Sequence, residues 1–156
     1  MKTLRVGVAA LNQTPLDWDG NEANIRDVIR EARGRGVGLL CLPELCVTGY
    51  GCEDAFFSSA TRRMARRIVE ALLPETDGIA VSLGLPVMHR GSLFNVVALL
   101  IDGRVAGLVA KQHLAGDGLH YEPRWFRAWP AGEVSVFDWD GQDVPIGDLV
   151  FDLDGV

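Results

Sequence analysis

Apolar residues fall along this chain in two rhythms, short unbroken runs and a three-to-four spacing, and the two alternate. Leu4 to Ala10 carries Val6 and Val8 in a short apolar stretch bounded by turn residues, the pattern of a buried strand. Asp19 and Glu22 then stand at capping-box spacing ahead of a helix whose Ile25, Val28, Ile29 and Ala32 share one face. Gly34 and Gly36 end that helix, and Val37 to Leu42 is the next buried strand. Strand, helix and strand over this length predict a parallel crossover. A polar and aromatic loop runs from Pro43 to about Ser58. A second helix follows, with Ala60, Met64, Ile68 and Leu72 on one side and Pro74 as its stop. Ile79 to Leu85 is a third buried strand.

From Leu93 to Lys111 the rhythm changes to two apolar runs joined by Asp102-Gly103, which predicts a type I′ hairpin. Gln112 to Pro130 is long, irregular and rich in glycine and aromatics, the kind of loop that carries function in a compact domain. Val134 to Trp139 and Pro145 to Leu153 are two further strands, separated by Asp140-Gly141. Asp154-Gly155 is another hairpin signal with no strand after it, so the chain is expected to stop in mid-hairpin. The pattern as a whole predicts an α/β fold in one domain. A chain of 156 residues, 48% of them hydrophobic, can bury a core without disulfide staples.

Charge and cysteine usage narrow the function classes. Fifteen Lys and Arg against twenty-one Asp and Glu give a net charge of −6, which argues against a nucleic-acid partner. The one basic run, Arg62-Arg63-Met64-Ala65-Arg66-Arg67, is read as the wet face of the second helix. Cys41, Cys46 and Cys52 are an odd count, which points to a reducing compartment. With no stretch of membrane-spanning length and no leader pattern, a cytoplasmic protein without membrane contact is expected.

Several motifs look chemical and are read as structural. Ala80-Val81-Ser82-Leu83-Gly84 resembles a serine elbow, but Leu85-Pro86-Val87 does not start a helix, so Ser82 is read as a strand residue. Gly34-Arg35-Gly36-Val37-Gly38 ends a helix and is read as a cap and turn. His89, His113 and His120 lack metal-ligand spacing, and no metal site is expected. Cys41 lies in an apolar strand and is read as an inert core thiol. Cys52 stands beside Glu53 and Asp54, two anions that would raise its pKa and disfavour a nucleophile.

Three charged residues carry the reading. Leu42-Pro43-Glu44-Leu45 sets a carboxylate directly after a buried strand, where α/β sheets present site residues. Leu108-Val109-Ala110-Lys111 does the same with an ammonium, and Glu122 lies in the aromatic loop. Together with Thr48-Gly49-Tyr50, these residues resemble the nitrilase, or carbon–nitrogen hydrolase, superfamily. A narrower set resembles the N-terminal glutaminase domain of glutamine-dependent NAD+ synthetases. That set is Ala10-Leu11-Asn12-Gln13 with Leu16-Asp17, Gly49-Tyr50-Gly51-Cys52, Gly84-Leu85-Pro86-Val87-Met88-His89-Arg90, Arg124-Trp125-Phe126 with Trp129, and Val144-Pro145-Ile146-Gly147-Asp148.

The resemblance implies an α-β-β-α sandwich, of which residues 1–156 would supply the N-terminal part. It implies a glutamate–lysine–cysteine triad with a second glutamate. Glu44 would be the general base, Lys111 the cation that stabilises a tetrahedral oxyanion, and Glu122 the second glutamate that positions the lysine and substrate. The nucleophilic cysteine is expected to follow the strand after Asp154-Gly155, beyond this chain, so the 156 residues alone are expected to be inactive. Asp117 and Tyr121 are candidate substrate-binding residues from their place in the loop. Glutamine is the implied substrate, no cofactor is implied for the glutaminase part, and ATP and Mg2+ belong to a synthetase domain expected to be absent. A homo-oligomer is expected. Two other readings stay open: a fragment of another nitrilase-type amidase, and a non-catalytic small-molecule-binding or self-assembling relative.

Overall fold

A computed structural model describes residues 3–117 and 121–153. Seven strands form one sheet in the order β1-β2-β3-β4-β5-β7-β6. The strands β1 (Val6–Val8), β2 (Leu39–Cys41) and β3 (Ala80–His89) run parallel, connected through helices α1 (Trp18–Gly34) and α2 (Ser59–Leu72). The next two, β4 (Ser92–Ile101) and β5 (Arg104–Ala110), form the expected hairpin, with positive φ at both Asp102 and Gly103 as a type I′ turn requires. A bulge between Leu99 and Leu100 interrupts their register. Strand β7 (Gln142–Gly147) joins β5 in parallel, and β6 (Val134–Trp139) closes that edge antiparallel to β7. The Asp154-Gly155 turn lies outside the described residues.

One face of this sheet makes the core. Val81, Leu83, Leu85 and Val87 of β3 alternate onto it, as do Val96, Ala98 and Leu100 of β4. Ile25, Ile29 and Ala32 of α1 and Ala65, Ile68, Val69 and Leu72 of α2 cover them. The opposite face carries Val8, Val97 and the half-buried Val109, and it is dressed by loops. Phe151 and Leu149 cross β5 at Gly107, where a Cβ would lie 2.7 Å from the Phe151 ring.

The structure departs from the sequence reading in five places. Strand β1 is not buried: it is the edge, Val6 and Val8 face the open side, and Val8 is 82% exposed. Apolar composition marks a strand but not its place in the sheet. Helix α1 is capped by Asp17, whose carboxylate accepts from the Gly20 amide at 3.1 Å, and not by Asp19. The buried stripe of α2 is Thr61, Ala65, Ile68, Val69 and Leu72, with Ala60 exposed and Met64 half-buried. A strict i+4 row turns about 40° per step around a helix and leaves the core face at one end. Strand β3 runs through Pro86 to His89, because β2 stops at Cys41 and leaves that stretch of β3 without a neighbour on its second side. Finally, β7 starts at Gln142 and ends at Gly147, since Asp140-Gly141 is a tight turn and residues 148–153 leave the sheet.

The basic run on α2 is also less wet than expected. Arg66 lies 4.8 Å from the Trp139 ring centroid and pairs with Asp140 at 2.9 Å, tying α2 to the far hairpin. Among the described residues no helix is long and apolar enough to cross a membrane.

The turn after α2 is locked to α1 by Glu75, whose carboxylate takes Arg26 at 2.7 Å and Arg30 at 2.6 Å. Hydrogen bonds from Arg30 and then Arg26 hold its carboxyl down at about 2. A carboxyl depressed on folding stabilises the fold above its unfolded value near 4.5 and loses that contribution as pH falls through about 2. Glu75→Gln should therefore cost about 1–2 kcal/mol at pH 7, discounted for the exposure of Arg30. The difference from wild type in urea unfolding should shrink between pH 4.5 and 2. A pH-independent difference would refute this assignment.

Candidate active site

Glu44 is set in place by the chain leaving β2. The Leu42 amide still reaches across to the Ser82 carbonyl at 2.9 Å, and the Val47 amide bonds the Gly84 carbonyl at 3.2 Å. Between these two anchors the backbone crosses directly over β3. Gly84 makes the crossing possible: a Cβ there would lie 2.2 Å from the Leu45 nitrogen and 2.9 Å from the Glu44 Cα. Leu45 itself takes a left-handed conformation, φ 51°, which a leucine adopts only when its surroundings impose it.

Lys111 leaves the end of β5 with its amide on the Asn95 carbonyl at 2.9 Å, while its own carbonyl accepts from Trp129 at 3.0 Å. Glu122 opens a short 3-10 turn, Glu122–Arg124, with its amide on the Ala115 carbonyl at 2.9 Å. Asp54 clamps this turn to the loop after β2. It accepts two hydrogen bonds from the Arg124 guanidinium, both at 2.9 Å, and one from the Trp125 indole at 3.0 Å. Arg124 first and Trp125 second hold the Asp54 carboxyl at about 2. Beneath the clamp, Leu45, Cys52, Phe56, Leu93 and Phe126 form a small second core.

The result is one hydrogen-bonded group. The Lys111 ammonium lies 2.6 Å from Glu44 Oε1 and 2.9 Å from Glu122 Oε2. The Ala115 amide donates to Glu122 Oε2 at 2.6 Å. The Asn95 carboxamide donates to Glu44 Oε1 and, at 3.0 Å, to Glu122 Oε1. The Glu122 side chain is 1% exposed, that of Glu44 40%. Burial alone would push the Lys111 ammonium down, but its bonds to Glu44 and Glu122 outweigh burial and raise it above the ordinary lysine value. Burial likewise favours a protonated Glu122, yet the Ala115 amide and Lys111 prevail and hold it below the ordinary value. Lysine and Glu122 are thus both ionised at neutral pH. Half-buried Tyr50 stands nearby, its phenol pushed up by burial and by the charges of Glu122 and Glu44.

The structure brings together Glu44, Lys111 and Glu122 from three separate segments, but not the two proposed pocket residues. Asp117 is exposed, Tyr121 is 57% exposed, and neither makes a side-chain hydrogen bond to the group. Ser82 lies inside β3 and not on an elbow. His120 lies outside the described residues, among which no group of three or more His, Cys, Asp or Glu could hold a metal ion. Cys52 is buried and its thiol donates to the Thr48 and Gly49 carbonyls at 3.1 and 3.2 Å. Its pKa is raised as expected, but by burial and not by its acidic neighbours. Burial pushes the Cys46 thiol up to about 12. Cys41 is half-buried in β2, between Val8 and Ser82.

This geometry can be set beside known proteins. The sequence pattern of the carbon-nitrogen hydrolase family matches residues 5–153. The chain belongs to the carbon–nitrogen hydrolases. Within the family it is 37% identical over 138 residues to the glutamine-dependent NAD(+) synthetase of Oryza sativa subsp. indica, covering 87% of this chain and 19% of that protein. It superimposes on the crystal structure of a glutamine-dependent NAD(+) synthetase from Cytophaga hutchinsonii with a TM-score of 0.95 and 44% identity, over 98% of this chain and 26% of that one. An amidase from Nesterenkonia sp., 22% identical over 91% of this chain and 54% of its own, shares the fold with a TM-score of 0.70. The chain thus spans about a fifth of the length of the curated relatives it matches.

The parts that two residues play in this group are not read from the sequence. Asn95 is a lone amide in the apolar run Leu93 to Ile101, and a buried polar side chain in such a run needs partners. That signal was available. Gly84 carries no local signal, because the chain that crosses it is forty residues distant in sequence.

Proposed function

We propose that this chain is the base-bearing part of a glutamine-hydrolysing unit that supplies ammonia for NAD+ synthesis. The observation that carries the reading is the Lys111 ammonium held between Glu44 and the buried Glu122. The likeness to glutamine-dependent NAD(+) synthetases over nearly the whole chain supports glutamine as the amide. In the proposed chemistry Glu44 takes the proton of a cysteine thiol, and the thiolate adds to the amide carbonyl carbon. Lys111 faces the oxyanion that develops. Glu44 returns the proton as the carbon–nitrogen bond breaks and ammonia leaves. Water then gives a proton to Glu44 and adds to the γ-glutamyl thioester, and the carbon–sulfur bond breaks as Glu44 passes that proton to the sulfur, releasing glutamate and restoring the thiol.

None of Cys41, Cys46 and Cys52 suits the nucleophile's part: the last two are buried with raised pKa values, and Cys41 is a strand residue. The 156 residues alone are therefore proposed to be inactive. ATP and Mg2+ would act in a synthetase region. The described residues offer no matching donor set, and no step above passes through either.

The test is to capture the native protein from its source cells with an antibody to this segment, and to measure its mass and activity. A species well above 17.0 kDa should release glutamate from glutamine and form NAD+ from deamido-NAD+ with ATP, while the isolated 156-residue chain should do neither. Glutamine hydrolysis by the isolated chain, or a native species that ignores glutamine and cleaves other amides, would overturn the reading.

A further inference from the structure

Asn95 is 3% exposed, on the face of β4 opposite the main core, and its backbone carbonyl already fixes Lys111 in register. Its side-chain nitrogen has two hydrogens and two carboxylate acceptors, one on each glutamate. Counting acceptors separates the two acids. Glu122 Oε1 takes Asn95 and Lys111, at 3.0 and 3.1 Å, and Glu122 Oε2 takes Ala115 and Lys111. Both of its oxygens are in use, and its side chain is closed to solvent. Glu44 Oε1 takes Asn95 and Lys111, and the Glu44 side chain is 40% exposed.

We infer that Asn95 is the positioning residue that gives the two glutamates different tasks. By tying Glu44 Oε1 to Glu122 Oε1, it leaves the exposed Glu44, and not the enclosed Glu122, as the acid that can take a proton. Glu122 is then a fixed counter-ion and not a second base. Two carboxylates facing one lysine would otherwise compete for its ammonium and turn freely about their terminal torsions. The carboxamide removes that freedom without adding charge. An aspartate of the same shape would bring a third negative charge into the group and favour protonation of the acids it faces.

This inference rests on the glutamine-hydrolysis reading for its catalytic consequence, but its geometry can be tested without turnover. In the 156-residue chain, Glu44→Gln and Glu122→Gln should each shift a different one of the two Asn95 side-chain amide protons by NMR. Asn95→Ala should raise the titration midpoint of the Glu122 carboxyl carbon. One proton answering to both substitutions, or an unmoved Glu122 midpoint, would overturn the bridge whatever the enzyme does. In the native-length protein, Asn95→Ala should lower kcat about 100-fold, the scale of a misplaced general base, with KM changed less than about threefold. Asn95→Asp should move the acid limb of the kcat/KM profile to higher pH, which a merely structural asparagine would not do. A kcat within threefold of wild type, or an unmoved limb, would sink the positioning role. A native-length protein with no glutaminase activity would instead overturn the function and leave the NMR result standing.

Discussion

Lys111→Met should destabilise the folded chain by about 3 kcal/mol at pH 7, a thermal shift of about 9 °C for a domain this size. The methionine removes the ammonium that stands 2.6 and 2.9 Å from two carboxylates, and one of these has only 1% of its side chain exposed. The Ala115 amide, Asn95 and Tyr50 are uncharged donors and cannot neutralise it. The pH dependence then distinguishes loss of charge from loss of packing. In the wild type Glu122 is held below its ordinary value, so it stabilises the fold above about 4.5 and less as pH falls through its folded pKa. Without Lys111, burial dominates and the carboxyl rises above its unfolded value, so protonation on acidification favours the folded variant. The two stability curves should converge from pH 7 toward pH 4.5. Adding Glu122→Gln should restore much of the loss, a coupling that a double-mutant cycle in urea would report. A loss under about 0.5 kcal/mol, equal at both pH values, would show that the ion triad is worth no more than a surface pair.

The sequence made this ionic group legible for a chemical reason. Glu44 and Lys111 each follow an apolar run, and β2 and β5 end on the same side of the sheet, where such folds gather their site residues. The parallel β1–β2 unit, both helices and the Asp102-Gly103 hairpin were legible because each is written in local periodicity or turn chemistry. What failed to show was decided by distant chain. Exposure of Val8 depends on β1 being the edge, and the passage of β3 through Pro86 depends on where β2 stops. Sharing a loop with Glu122 likewise does not set how far Asp117 and Tyr121 are buried, and both are exposed. Glu122 turns inward on the 3-10 turn pinned by Asp54, and its neighbours Tyr121 and Arg124 stay at the surface.

Gly84→Ala should be the most damaging single methyl added to this protein. Its Cβ would stand 2.2 Å from the Leu45 nitrogen and 2.8 Å from the Glu44 carbonyl carbon, and both are backbone atoms with no rotamer to yield. On one side β3 is held by nine pairs to β4, from Val81↔Leu100 to His89↔Ser92, so the crossing loop must be the part that lifts. Lifting it strains the Val47 bond to the Gly84 carbonyl and withdraws Leu45 from the small core it shares with Phe56 and Phe126. The cost should exceed about 3 kcal/mol, the upper range for overpacking where the neighbours cannot move aside. Gly78, with no heavy atom within 4 Å of an added Cβ but φ +71°, is the control. An alanine there should cost only the strain of a left-handed turn, about 1 kcal/mol. Glu44 should respond in step with stability at position 84 and not at 78: its contact with Lys111 opens, and the Lys111 ammonium keeps only Glu122. Equal losses in the two variants would mean that the loop tolerates the methyl and that Gly84 does not place the base.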